Sequence, residues 1–149
     1  MISTIEKVLF LRSADLFGQI HGEDLVPIAQ IAQEVDFKPH DNLITEGEIG
    51  ETMYLILSGW VQVLKGSQLI TRLGSKECVG EMAILDSEPR SATVRAEDSV
   101  QTLKIERADF FELMAEKPEI ARGVIKVLIH RLRDTTAQQL TKPTSPTSE

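Results

Sequence analysis

The chain has one cysteine, Cys78, in 149 residues, so no internal disulfide can staple it, and a reducing compartment is compatible. Histidine is almost as scarce. His21, His40 and His130 are scattered rather than paired at ligand spacing, and neither Gly-x-Ser-x-Gly nor His-Glu-x-x-His occurs. The usual marks of a metallohydrolase or serine hydrolase are therefore missing, and the expectation is a non-enzyme with no metal and no cofactor. No apolar run approaches the ~18–20 residues needed to cross a bilayer, which argues against direct membrane insertion. Glu6, Lys7 and Arg12 interrupt the start, and no small-residue cleavage site follows, so no secretory signal is read there. The expected location is cytoplasmic. Positive charge is also short: 16 Lys and Arg against 23 Asp and Glu leave a net charge of −7. Broad nucleic-acid binding rests on basic surface, and this balance argues against it. One small anion held by a local cationic niche is not excluded.

What is present fits a single soluble domain. Hydrophobic residues make up 42% and charged residues 26%, ordinary values for a globular protein of this length. From Ile5 to Phe17, apolar residues Ile5, Val8, Leu9 and Leu16 fall roughly at helical spacing. Gly22-Glu23-Asp24 opens a second helix with acid in its first turn; Pro27 is early enough to be tolerated near it, and Leu25, Ile28, Ile31 and Ala32 form its buried stripe. From Val35 on, short strands alternate with turn residues: Asn42–Thr45, Met53–Leu57, Trp60–Leu64, Leu69–Leu73, Ser91–Ala96 and Val100–Ile105. Such spacing predicts an antiparallel barrel or sandwich. Helical spacing returns near Ala108, with Asp109 as a plausible cap. Pro118 then begins a final helix carrying the row Ile120, Val124, Leu128 and Leu132. Gly123 weakens that helix by ~1 kcal/mol relative to alanine. Thr141 to Glu149 has no apolar residue and reads as a disordered tail.

The most informative stretch is Gly80-Glu81-Met82-Ala83-Ile84-Leu85-Asp86-Ser87-Glu88-Pro89-Arg90-Ser91-Ala92-Thr93-Val94. It sets a carboxylate and a guanidinium nine residues apart, across a short turn and ahead of a β-branched strand. Free N–H groups at the start of a helical turn attract an anion. Arg90 adds a fork of donors suited to phosphate oxygens. An ionised Glu81 only accepts hydrogen bonds, so it suits a hydroxyl. A ligand meeting all three has a phosphate near a free hydroxyl, as a nucleotide with its ribose does.

Gly-Glu-Met-Ala-Ile-Leu followed by Pro-Arg-Ser-Ala-Thr-Val resembles the phosphate-binding cassette of the cyclic-nucleotide-binding domain family. That family includes cyclic-AMP-dependent kinase regulatory subunits, catabolite-activator-type regulators and cyclic-nucleotide-gated channels. A second block, Glu46 to Val63, resembles the family's paired strands with glycines at their turns. The likeness runs from about Leu16 to about Leu132. It departs from the family at Val79, where an aromatic residue is usual, and at Lys76, where glycine is common.

The resemblance implies an α+β fold: an antiparallel β-barrel of the jelly-roll (double-stranded β-helix) type, N-terminal helices, and a C-terminal hinge-plus-lid helix pair. It implies a leading helix over residues 1–17, the binding domain over 18–140 and the tail over 141–149. Arg90 would hold the phosphate and Glu81 the ribose. Gly80 and Met82 would line the ribose side, while Ala83, Ser91 and Ala92 would act through small size and backbone N–H groups. In the family, alanine after the arginine goes with adenine and threonine with guanine; Ser91 is intermediate, and cAMP is favoured over cGMP. Arg131 would close over the base by cation–π contact, with Leu132 and Arg133 as neighbours able to take that role. Cys78 reads as a small buried hydrophobe.

The function so implied is a non-catalytic sensor whose final helix moves on binding. Its expected partners are the cyclic nucleotide and an upstream channel, transporter or enzyme domain in a longer protein. The alternative is a vestigial pocket serving only protein–protein contact. A transcription regulator would need a recognition helix after the long helix; only nine residues follow Leu140, so operator binding is not expected.

Overall fold

The computed structural model describes the backbone of residues 1–141 and side chains through Thr136. The tail assigned to 141–149 lies, beyond Thr141, outside the described residues. Helix α1 (Thr4–Ser13) starts with a capping box in which Ser3 and Glu6 exchange hydrogen bonds. It stops at Ala14, which is extended with ψ 130°, and a 3₁₀ turn follows over Asp15–Phe17. The predicted leading helix is thus broken before Leu16. Leu11 is its buried residue, while Ile5 and Leu9 face outward. Helix α2 (Gly22–Ile31) buries Leu25, Ile28 and Ala29, with Ala32 buried just past its end and Ile31 only half-buried. Pro27 sits in its second turn rather than at its start.

Eight antiparallel strands form two sheets. One has the order β1 (Gln33–Phe37), β8 (Val100–Glu106), β3 (Thr52–Ser58), β6 (Cys78–Val79). The other has β2 (Asn42–Ile44), β7 (Thr93–Ala96), β4 (Val61–Lys65), β5 (Gln68–Leu73). The six predicted strands are present with ends shifted by up to two residues; β1 and the two-residue β6 were not anticipated. The fold is α+β of the jelly-roll class, its two facing sheets not closed into a single hydrogen-bonded ring among the described residues.

Strand β3 explains how two cores coexist. Its five central residues are all buried, and alternation sends successive side chains to opposite faces. Met53, Leu55 and Leu57 join Leu103 and Ile105 in a cluster with the helices. Tyr54 and Ile56 face the other sheet, with Ile44, Val61, Val79 and Val94. The helical cluster is centred on Phe17 and Phe110, whose rings lie 5.8 Å apart, close enough for a tilted aromatic pair.

After β8 come α4 (Arg107–Glu116) and α5 (Pro118–Thr141). Helix α4 begins two residues before the predicted cap, so Asp109 lies in its first turn and the N-cap is Glu106. Helix α5 starts at Pro118 as predicted, but its buried residues are Ile120, Gly123, Val124 and Val127. Ile125, Ile129 and Leu132 are exposed. The stripe follows Gly123 because that residue rests against Gln19 and Ile20: a Cβ there would stand 2.6 Å from Ile20 Cγ1.

Candidate functional site

Between β6 and β7 the chain leaves the sheets for the short helix α3 (Ala83–Asp86) and an irregular return. Ile84 anchors this excursion by sinking fully into the helical core. The excursion frames a cavity of about 420 Å³, in the range of small-molecule sites. Its apolar wall is Ile44, Val63, Leu73, Val79 and Val94, and its polar side chains are Glu81, Asp86, Glu88, Arg90 and Ser91. Gly80, Glu81, Met82, Ala83, Arg90, Ser91 and Ala92 all line it. Gly80 has φ +75°, and a Cβ there would meet Arg90 Nη1 at 2.6 Å and the Thr52 carbonyl at 2.8 Å. Both the backbone and the space require glycine. The Ala83 N–H donates to the Gly80 carbonyl at 3.2 Å, so among the expected N–H donors this one is already engaged.

Arg90 is held at its backbone and at the tip of its guanidinium. Its N–H donates to the Glu48 carbonyl at 2.7 Å, and its carbonyl accepts from Gly47 N–H at 2.9 Å. Nη2 donates to the Thr52 carbonyl at 2.6 Å and to Thr52 Oγ1 at 3.1 Å. Nη1 approaches the Gly80 carbonyl at 3.5 Å. All these acceptors are neutral, and no carboxylate forms a salt bridge with Arg90 among the described residues. Burial holds its pKa below the ordinary arginine value, the sign expected of a partly desolvated cation without a counter-charge.

Glu81 faces Arg131, which reaches down from α5. Arg131 Nη2 lies 3.2 Å from both Glu81 oxygens, and Nη1 sits 3.7 Å from Met82 Sδ. The same guanidinium donates to Asp15 Oδ2, from Nε at 3.0 Å and Nη2 at 2.6 Å. Burial pulls the Arg131 pKa down, but the Asp15 hydrogen bond and the Glu81 charge outweigh it, and the net shift is upward. Arg131 therefore does not itself line the cavity but stands beside it, engaged with two carboxylates. Asp15 and Thr52 were not singled out in the sequence. Only tertiary structure brings a residue 116 positions away onto Arg131.

Cys78 lies in the cavity wall, half-buried, and its thiol pKa is pushed up to about 12, first by burial and then by the Glu81 and Asp15 charges. A raised pKa makes it a poor nucleophile at neutral pH. Among the described residues no group of three or more His, Cys, Asp or Glu is placed to hold a metal, and no helix is long and apolar enough to cross a membrane.

A jelly roll whose partly apolar cavity is lined by an arginine with no salt bridge among the described residues, and by the carboxylates of Glu81, Asp86 and Glu88, is suited to a small polar ligand. Sequence comparison makes the class specific: the family model of the cyclic nucleotide-binding domain matches residues 34–117, more than half of the chain. The chain belongs to the cyclic nucleotide-binding domain family. It is 28% identical over 130 residues to a CRP-like cAMP-activated global transcriptional regulator of Mycobacterium tuberculosis, covering 84% of this chain and 58% of that one. The chain thus spans little more than half the length of that curated relative. The crystal structure of the N-terminal domain of a transcriptional regulator from Streptomyces coelicolor A3(2) superposes with a TM-score of 0.79 at 27% identity, covering 85% of this chain and 94% of that one. The regulatory domain of Toxoplasma gondii PKA, crystallised with cAMP, superposes with a TM-score of 0.68 at 26% identity, covering 74% and 44%. These relatives are regulators, in keeping with a regulatory role for the domain.

Proposed function

We propose that this domain is a non-catalytic sensor of a cyclic nucleotide, with cAMP favoured over cGMP. The observation that carries the reading is Arg90: a half-buried cation, held only by neutral oxygens, beside an apolar cavity that Glu81 also lines. The cyclic phosphate supplies the missing counter-charge, Glu81 accepts from the ribose hydroxyl, and the apolar wall takes the base. Gly80, Met82, Ala83, Ser91 and Ala92 complete the contact, with Ser91 supplying a hydroxyl on the side that reads the base.

In this reading Glu81 exchanges Arg131 for the ribose hydroxyl, and Arg131 turns over the base. Helix α5 responds through Arg131, so ligand biases a two-state element by no more than its differential affinity for the two arrangements. Residues 1–17 join the domain of 18–140 to whatever it regulates, a channel, transporter or enzyme, in the cytoplasm. Support comes from the family match and from the cAMP co-crystallised with the similar Toxoplasma gondii regulatory domain.

Calorimetric titration with cAMP and cGMP tests this. Saturable binding of one nucleotide per chain is expected, tighter for cAMP. Arg90→Ala should weaken it by hundreds- to thousands-fold, since stranding a sheltered charge costs ~3–5 kcal/mol. No saturable binding of either nucleotide at micromolar concentration would leave the protein-contact alternative standing instead.

A further inference from the structure

We infer that Thr52 is a positioning residue that sets the aim of the Arg90 guanidinium toward the anion; the inference rests on the phosphate-binding reading of the cavity. A guanidinium on a flexible stem can point many ways, and affinity for an anion depends on holding it in one. Thr52 occupies both hydrogens of Nη2, one through its carbonyl at 2.6 Å and one through Oγ1 at 3.1 Å. That fixes the guanidinium plane and leaves Nε with no partner among the described residues. Nη1 keeps only the long 3.5 Å contact to the Gly80 carbonyl. The donors left over are those free to meet a ligand oxygen.

The position is built by its neighbours. Gly50, two residues earlier, lets the guanidinium lie against the backbone: a Cβ there would stand 2.7 Å from Arg90 Nε and 2.5 Å from Ala83 Cβ. Thr52 is the first residue of β3 and pairs with Glu106, so its backbone is fixed by the sheet. The chemistry of the residue also matters. A carboxylate at this position would orient Arg90 equally well but neutralise it, and the arginine would then have less to gain from a phosphate. A hydroxyl and a carbonyl orient the cation without cancelling its charge. Glu51, next along the chain, is exposed.

The test is nucleotide affinity of Thr52→Val, Thr52→Ser and Arg90→Ala, measured with cAMP and with the two phosphorothioate diastereomers of cAMP. Each diastereomer replaces one of the two exocyclic phosphate oxygens by sulfur, so the ratio of their affinities reports which oxygen the guanidinium addresses. Thr52→Val keeps the shape and β preference of the site but removes the Oγ1 acceptor. It should weaken cAMP binding on the order of tenfold and bring the two diastereomer affinities closer together. Thr52→Ser should restore both the affinity and the ratio, which a general loss of packing would not allow. Thr52→Ala provides the same deletion should valine disturb the strand. If valine and alanine variants keep cAMP affinity within twofold and the diastereomer ratio intact while Arg90→Ala loses binding, Thr52 has no such role and the site reading survives. If Arg90→Ala also binds as the parent does, the phosphate reading itself falls.

Discussion

Arg131 Nη2 lies 2.6 Å from Asp15 Oδ2 and 3.2 Å from Glu81 Oε1, so one guanidinium ties the last helix to the N-terminal 3₁₀ turn and to the cassette. The two carboxylates differ in setting. The Glu81 side chain is 25% exposed and Asp15 is 77% exposed. Solvent screening keeps the Asp15 contact weak, while Glu81 is the partner that a ribose hydroxyl would have to share.

A double-mutant cycle on unfolding, Arg131→Ala against Asp15→Ala, should give a coupling of about 0.5–1 kcal/mol at low salt, in the range of exposed ion pairs. It should shrink in high salt as the charges are screened. A coupling indistinguishable from zero in urea unfolding at low salt would mean that α5 is held to the 3₁₀ turn by apolar packing alone.

Much of this architecture was legible because strong local signals agreed. Six strands followed from β-branched runs between turn residues, and Pro118 marked the start of α5. Glu81 and Arg90 were legible from residue type and spacing and the other five cassette residues from the family resemblance, and all seven line the cavity. Contacts across sequence were not. Strand β1 reads Gln-Glu-Val-Asp-Phe with only partial burial, because its place at a sheet edge asks little hydrophobicity of it. Its Val35 carbonyl accepts from the buried Thr102 hydroxyl at 2.7 Å, a pairing that only the folded register reveals. Of the expected α5 row, Ile120 and Val124 are buried and Leu128 is half-buried against the core, but Leu132 is exposed and the stripe widens onto Gly123 and Val127. Gly123 looked like a weakness, whereas its missing Cβ lets α5 rest against Ile20.

Gly123→Ala is therefore expected to destabilise the protein. In an isolated helix the change would gain ~1 kcal/mol. Here the new methyl would stand 2.6 Å from Ile20 Cγ1 and 3.2 Å from the Gln19 carbonyl. Ile20 is 8% exposed and has little room to yield. Overpacking of this kind costs ~1–3 kcal/mol, so the melting temperature should fall; a rise would show that α5 can shift outward without loss.

Lys76 holds a left-handed backbone at φ +75°, between β5 and β6, with its N–H bonded to the Ile56 carbonyl at 2.8 Å. A residue with a Cβ loses roughly 1–2 kcal/mol there. Glycine removes that strain but gives back ~0.5–1 kcal/mol in unfolded-chain entropy. Lys76→Gly should thus stabilise the domain by up to about 1 kcal/mol, read as a shifted urea midpoint with unchanged slope. Destabilisation would mean that the turn needs the lysine side chain rather than merely tolerating it.

Cys78 links stability to alkaline pH with a definite sign. Its folded pKa of about 12 lies above the ordinary value of 9.0 because burial and the nearby carboxylates disfavour the thiolate. Below pH 9 the thiol is protonated in both folded and unfolded chains and contributes no pH dependence. Between pH 9 and 12 the unfolded chain releases a proton that the folded chain keeps, so stability falls as pH rises, by ~1.4 kcal/mol per pH unit for one group. Cys78→Ala should flatten this part of the stability–pH curve relative to the parent, whatever its effect on absolute stability; subtracting the two curves removes the contribution of lysines and the tyrosine. The same buried thiol should react slowly with iodoacetamide at pH 8. Because Cys78 lines the cavity, saturating cyclic nucleotide should slow it further. Alkylation as fast as that of free cysteine, unaffected by nucleotide, would contradict both the burial of Cys78 and the placement of the ligand over it.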